Sequence, residues 1–76
     1  MKRETIFIGT VLHRLRRQRL LSQEELAFRS GIERNYLSDL ENDKSEPGLG
    51  VVFALAEALD INPEDFVAMI NKHIKG

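Results

Sequence analysis

The chain contains no cysteine. That excludes disulfide bridges and thiolate metal sites as reinforcement. At 76 residues the chain supports a single domain, 1–76, whose core is marginal in size and depends on tidy helix packing or on a second copy. Long apolar runs are also missing. The longest, residues 48–56, is far below the roughly 20 residues of a membrane-spanning helix. The basic start Met1-Lys2-Arg3 precedes an apolar patch that ends at His13-Arg14, with no small-residue cleavage site after it. It does not read as a secretory leader, and the expectation is a cytoplasmic protein without a membrane partner. His13 and His73 lie far apart in sequence, no carboxylate–histidine spacing suits a metal, and no glycine-rich phosphate loop occurs. No enzyme activity, metal or cofactor is therefore expected.

Charge is nearly balanced at a formal −1, which on total charge alone argues against a nucleic-acid partner. Its distribution says more. Residues 1–44 hold nine Lys/Arg against seven Asp/Glu, and residues 45–76 hold two Lys against five Asp/Glu. Four arginines (Arg14, Arg16, Arg17, Arg19) fall within six positions.

Apolar periodicity predicts five helices and no strand, an all-α protein. Ile8, Val11, Leu12 and Leu15 recur at helical spacing and place helix 1 at 5–18. Ser22-Gln23-Glu24-Glu25 is a capping box, so helix 2 starts there and runs to residue 30, where Gly31 ends it. Helix 3 is predicted at 34–42 with Leu37 and Leu40 inward, and a polar loop at 43–48 follows. Helix 4 is predicted at 49–59, with Leu49, Val52, Phe53, Ala56 and Leu59 as its apolar face. Asn62-Pro63-Glu64-Asp65 opens helix 5, at 63–75, with an Asn cap, Pro at the first position and acids in the first turn.

Residues 22–42 carry the functional signal. A small residue, Ala27, suits a close helix crossing; Gly31 permits a tight turn; Ile32, Leu37 and Leu40 pin helix 3 to the core. Arg34, Asn35, Ser38 and Asp39 are then left outward, and Arg, Asn and Asp hydrogen-bond the edges of guanine, adenine and cytosine respectively. In order, Ser22-Gln23-Glu24-Glu25-Leu26-Ala27, Ser30-Gly31-Ile32, Tyr36-Leu37-Ser38 and Leu40-Glu41-Asn42 resemble the lambda-repressor-like (Cro-like, Xre-type) helix-turn-helix family. Pro47, Leu49 and the stretch Leu55-Ala56 with Ala58-Leu59 are similar to that family's fourth helix. The short length and Glu33-Arg34-Asn35-Tyr36-Leu37-Ser38 further resemble restriction–modification controller proteins.

The resemblance implies a five-helix domain that binds double-stranded DNA as a transcription regulator, a repressor before an activator. It implies base reading by Arg34, Asn35, Ser38 and Asp39, and phosphate binding by Gln23, Arg16, Tyr36, Asn42 and Lys44. It also implies an Arg16–Glu41 pair joining helices 1 and 3. A homodimer on a palindromic operator is expected, because one copy offers one recognition helix. Helix 5 carries more apolar surface than one small core needs, so Phe66, Val67, Ile70 and Ile74, with Val51 and Leu55 of helix 4, are the expected interface. Three positions depart from the family pattern. Leu20 and Asp43 stand where glycine is common, and Glu33 stands where a better helix cap is usual. Asp43 and Glu46, with Glu33 and Asp39, are expected near phosphates, where they either reduce non-specific affinity or raise selectivity by penalising wrong sites. The acidic second half keeps open a different class of function, an antitoxin-like adaptor of the same fold whose partner is a protein.

Overall fold

The computed structural model describes residues 3–76. Five helices follow one another, α1 Gly9–Gln18, α2 Gln23–Ser30, α3 Arg34–Glu41, α4 Leu49–Ala58 and α5 Pro63–Lys75, and no strand occurs among the described residues. This is the lambda-repressor-like arrangement.

Local chemistry sets the boundaries. Ser22 Oγ accepts from the Glu25 amide at 3.0 Å and the Glu25 carboxylate accepts from the Ser22 amide at 3.0 Å, closing the capping box that starts α2. These bonds hold the Glu25 carboxyl below its usual pKa. Gly31 ends α2 in the left-handed region at φ 70° and lets Ile32 N–H return to the Ala27 carbonyl. Asn62 occupies the cap position before Pro63 as expected, but its side chain makes no capping bond. The two family-glycine positions, Leu20 and Asp43, both adopt φ 57°, and Asp60 adopts φ 58°. For Leu20 this costs roughly 1–2 kcal/mol that a glycine would not incur.

Helix α1 starts four residues later than its apolar spacing predicts. Residues 5–7 lie outside the helix, where the Ile6 amide donates to Glu46 at 2.6 Å and the Gly9 amide to Asp43 at 2.9 Å, bonds to partners far along the chain.

Helix α2 packs on α3 and α4, α1 on α3 and α5, and α4 on α5. Phe66, Ile8, Val11, Leu12, Leu26, Leu37, Leu40, Leu55 and Leu59 are fully buried at the centre. Phe66 and Leu55 thus fill the core and offer no surface, and Ile70 is buried beside them. Of the apolar face predicted for α4, Leu49 and Phe53 point out, at 70% and 52% exposed. Rotation about α4 therefore differs from the sequence expectation: Val52, Leu55, Ala56 and the following Leu59 face inward.

Candidate nucleic-acid interface

Helix α3 lies on the surface with two unlike faces. Leu37 and Leu40 are fully buried, and Tyr36 is half-buried against the same core. Arg34 and Asn35, in the first turn, are exposed; Ser38 and Asp39, one turn on, are half-buried. A spacing of i, i+1, i+4, i+5 puts all four on one side of the helix. The Asn42 side-chain amide donates to the Ser38 carbonyl at 3.0 Å and approaches Ser38 Oγ at 3.4 Å, so the end of α3 is closed by its own side chains. Lys44 is exposed in the following loop, and its amide donates to the Asp39 carbonyl at 2.9 Å.

Behind this face a polar knot fixes α3 to its neighbours. Arg16 Nε donates to Glu41 Oε2 at 2.6 Å, Nη2 to Glu41 Oε1 at 3.0 Å, and Nη1 to the Leu21 carbonyl at 2.8 Å. His13 Nδ1 lies 3.0 Å from Glu41 Oε1, and Gln23 Nε2 donates to that same oxygen at 3.2 Å. Burial pushes the Glu41 carboxyl up, but bonds from Arg16, His13 and Gln23 outweigh it and hold the group below its usual range. The expected Arg16–Glu41 pair is present. Arg16 itself is buried, and its guanidinium bonds to Glu41, the Leu21 carbonyl and His13 tie α1 to α3, where the sequence expectation had it contact phosphate. Gln23 keeps one amide hydrogen free at the start of α2, since the other is held by Glu41.

The arginine run of α1 is likewise not one patch. Arg19 Nε donates to the Leu59 carbonyl at 2.8 Å, at the end of α4. Arg14 and Arg17 stay exposed, Arg14 beside Lys72 and His73 in a groove between α1 and α5. Of the expected dimer residues, Val67 and Ile74 are exposed and Val51 is half-buried. Beside Val67, Phe53 and Pro63 line one shallow apolar groove, a position sequence reasoning had assigned to the core in the case of Phe53. Among the described residues no cluster of His, Asp or Glu is placed to hold a metal ion, and no helix is long and apolar enough to cross a membrane.

Comparison with known proteins agrees with this geometry. The helix-turn-helix family profile matches residues 12–66. An HTH-type transcriptional regulator of Sinorhizobium fredii is 38% identical over 60 residues, which cover 79% of this chain and 78% of that protein. The immunity repressor of Bacillus phage phi105 is 37% identical over 54 residues, 71% of this chain but 38% of the repressor. The crystal structure of the restriction–modification controller protein C.AhdI from Aeromonas hydrophila superposes with a TM-score of 0.75 at 39% identity, covering 80% of this chain and 92% of that one. The chain belongs to the helix-turn-helix family, a family of DNA-binding transcription regulators.

Proposed function

We propose that this protein is a sequence-specific transcription regulator that binds a palindromic operator as a homodimer and acts as a repressor. The observation that carries this reading is α3 itself: a helix anchored by Leu37, Leu40 and the Glu41 knot, with Arg34 and Asn35 free at its first turn. The N-terminal residues of such a helix enter the major groove most deeply. Arg34, Asn35, Ser38 and Asp39 read bases, while Gln23, Tyr36, Asn42 and Lys44 contact phosphates. The repressor role is supported by the likeness to the phage immunity repressor.

Dimerisation follows from size. Helix α3 has 8 residues and is about 12 Å long, so one copy spans a single half-site. Phe53, Val67 and Ile74 are large apolar side chains left in water on α4 and α5, with half-buried Val51 nearby in sequence, and they form the two-fold contact surface. Selection of bound duplexes from random DNA is expected to yield an inverted repeat with half-site centres roughly 34–36 Å apart. Light scattering is expected to give a dimer, and Val67→Asp a monomer that binds the selected site at least tenfold more weakly. A wild-type monomer at tens of micromolar, or selected sites without two-fold symmetry, contradicts the dimer.

The loop after α3 has its own test. Lys44→Ala is expected to weaken all sequences alike and to reduce the slope of log affinity against log salt by about one per subunit. An unchanged slope removes Lys44 from the phosphate contacts.

A further inference from the structure

The loop joining α3 to α4 has little of its own to hold it. Asn42, Asp43 and Lys44 are exposed, and three backbone bonds, Asn42 N–H to Ser38 at 3.0 Å, Asp43 N–H to Leu40 at 3.3 Å and Lys44 N–H to Asp39 at 2.9 Å, return its start to α3, with none from residues 45–48. Its two carboxylates supply the rest, and both face the segment that precedes α1. Asp43 Oδ1 accepts from Gly9 N–H, one of the amides that a helix start leaves without an internal partner. Glu46 Oε2 accepts from Ile6 N–H at 2.6 Å, and the Arg3 guanidinium grips the same carboxylate with two bonds, at 2.6 and 2.9 Å. Between these anchors Ile8 is fully buried, which nails the segment to the core. The approach is close: a Cβ on Gly9 would overlap the Asp43 carboxylate and the Glu41 carbonyl. The donors hold the Glu46 carboxyl down at about 2, so it stays ionised and paired.

We infer that residues 3–9 are a working part of the DNA-binding surface, a latch that holds the 42–46 loop in place for phosphate contact, with Arg3 as a positioning residue acting through Glu46. The inference rests on the proposed role of Asn42 and Lys44 in that loop. It reverses the expected effect of two acids. Asp43 and Glu46 are turned onto backbone amides and an arginine, so they order the loop and their charge is answered within the protein.

The test uses the full chain with Arg3→Ala, Glu46→Gln and the swap Arg3→Glu/Glu46→Arg, on the selected duplex and without DNA. Both single variants are expected to weaken binding about 3- to 10-fold and to lower the salt slope equally, by less than the full unit lost in Lys44→Ala, because the loop is loosened while Lys44 keeps its charge. The swap is expected to recover the share of the loss that comes from the ion pair and not the share from the Ile6 N–H bond, since arginine has no acceptor. Without DNA, amide exchange at Ile6, Gly9 and Lys44 is expected to rise while Leu37 and Leu40 stay as protected as in the wild type. Glu46→Gln is nearly isosteric, so it reports on the latch without disturbing the core. If Arg3→Ala lowers the salt slope by about one while Glu46→Gln binds as tightly as wild type, Arg3 leaves Glu46 for a phosphate in the complex and the inference is overturned. Wild-type binding by both single variants overturns it as well. A wild-type chain that binds no DNA, with exchange still rising in the variants, sinks the proposed function while the latch stands as a structural contact alone.

Discussion

Replacing Glu41 by alanine is expected to cost about 3–5 kcal/mol of folding stability, the usual penalty for stranding a buried charge. The whole domain is expected to be worth only about 4–11 kcal/mol at its length, so urea unfolding at neutral pH is expected to show a large loss of midpoint or a substantial unfolded fraction. The cause is Arg16. Its side chain is 10% exposed, and Glu41 answers two of its bonds, leaving only the Leu21 carbonyl and, at 3.2 Å, His13 Nδ1 once the carboxylate is gone. Replacing both partners with apolar groups, Arg16→Met with Glu41→Leu, is expected to recover most of the loss, because no unpaired charge then remains. A single-variant cost below about 1 kcal/mol would show that the pair is hydrated and worth no more than a surface ion pair.

Acid has a related effect, and its direction is set by the lowered Glu41 pKa. The folded group titrates below the 4.5 of a free glutamate. As pH falls from about 4.5 through the folded value, the unfolded chain binds more protons than the native one, and stability is lost in that window. Above it the contribution is fully present. Glu25 and Glu46 are shifted in the same direction, so the double variant is expected to flatten the acid limb without abolishing it.

What could be read from the sequence was local. The capping box at Ser22, the glycine turn at Gly31 and the Asn-Pro start of α5 act within four residues of themselves, and α2, α3 and α5 begin at or just after those signals. The start of α1 was misplaced because its determinants are distant. Asp43 and Glu46 take the Gly9 and Ile6 amides from 34 and 40 positions away, and nothing in 5–8 announces it. The arginine run shows the same limit. Arg16, Arg17 and Arg19 are chemically alike in sequence, yet the fold buries the first against Glu41, leaves the second in water and ties the third to Leu59.

Apolar residues posed a related problem. Periodicity found the stripes on α4 and α5 but not their rotation, so Leu55, Phe66 and Ile70 were placed at a contact surface although they are core, and Phe53 was placed on the inward face although it is exposed. A stripe wider than one face is readable; which edge of it meets water depends on where α2 and α5 pack, and that is tertiary information. The outward face of α3 was legible because there the two levels agree. Leu37 and Leu40 are three apart and fully buried, which leaves Arg34 and Asn35 outside whatever else the chain does.

Arg34→Ala is expected to cost about 1–3 kcal/mol per half-site and to flatten preference at one base pair of each half-site only. Arg34 sits at the first position of α3, exposed and without an ion-pair partner among the described residues, so no internal contact holds its guanidinium back from the proposed groove contact. Two parallel N–H donors match guanine O6 and N7, a fit that a single ammonium group does not copy. Arg34→Lys is therefore expected to keep the salt dependence and lose much of the discrimination, and both selected half-sites are expected to hold a guanine at the position it reads. In the proposed dimer two subunits act on one operator, so the losses are expected to compound, to as much as about 2–6 kcal/mol. Titrations of wild type and both variants against the selected duplex and its single-base changes settle the role. If Arg34→Ala weakens every duplex alike and Arg34→Lys is silent, Arg34 is a phosphate contact. Base choice then falls to Asn35, one position along the same exposed turn, and to Asp39, whose half-buried carboxylate accepts from a cytosine amino group.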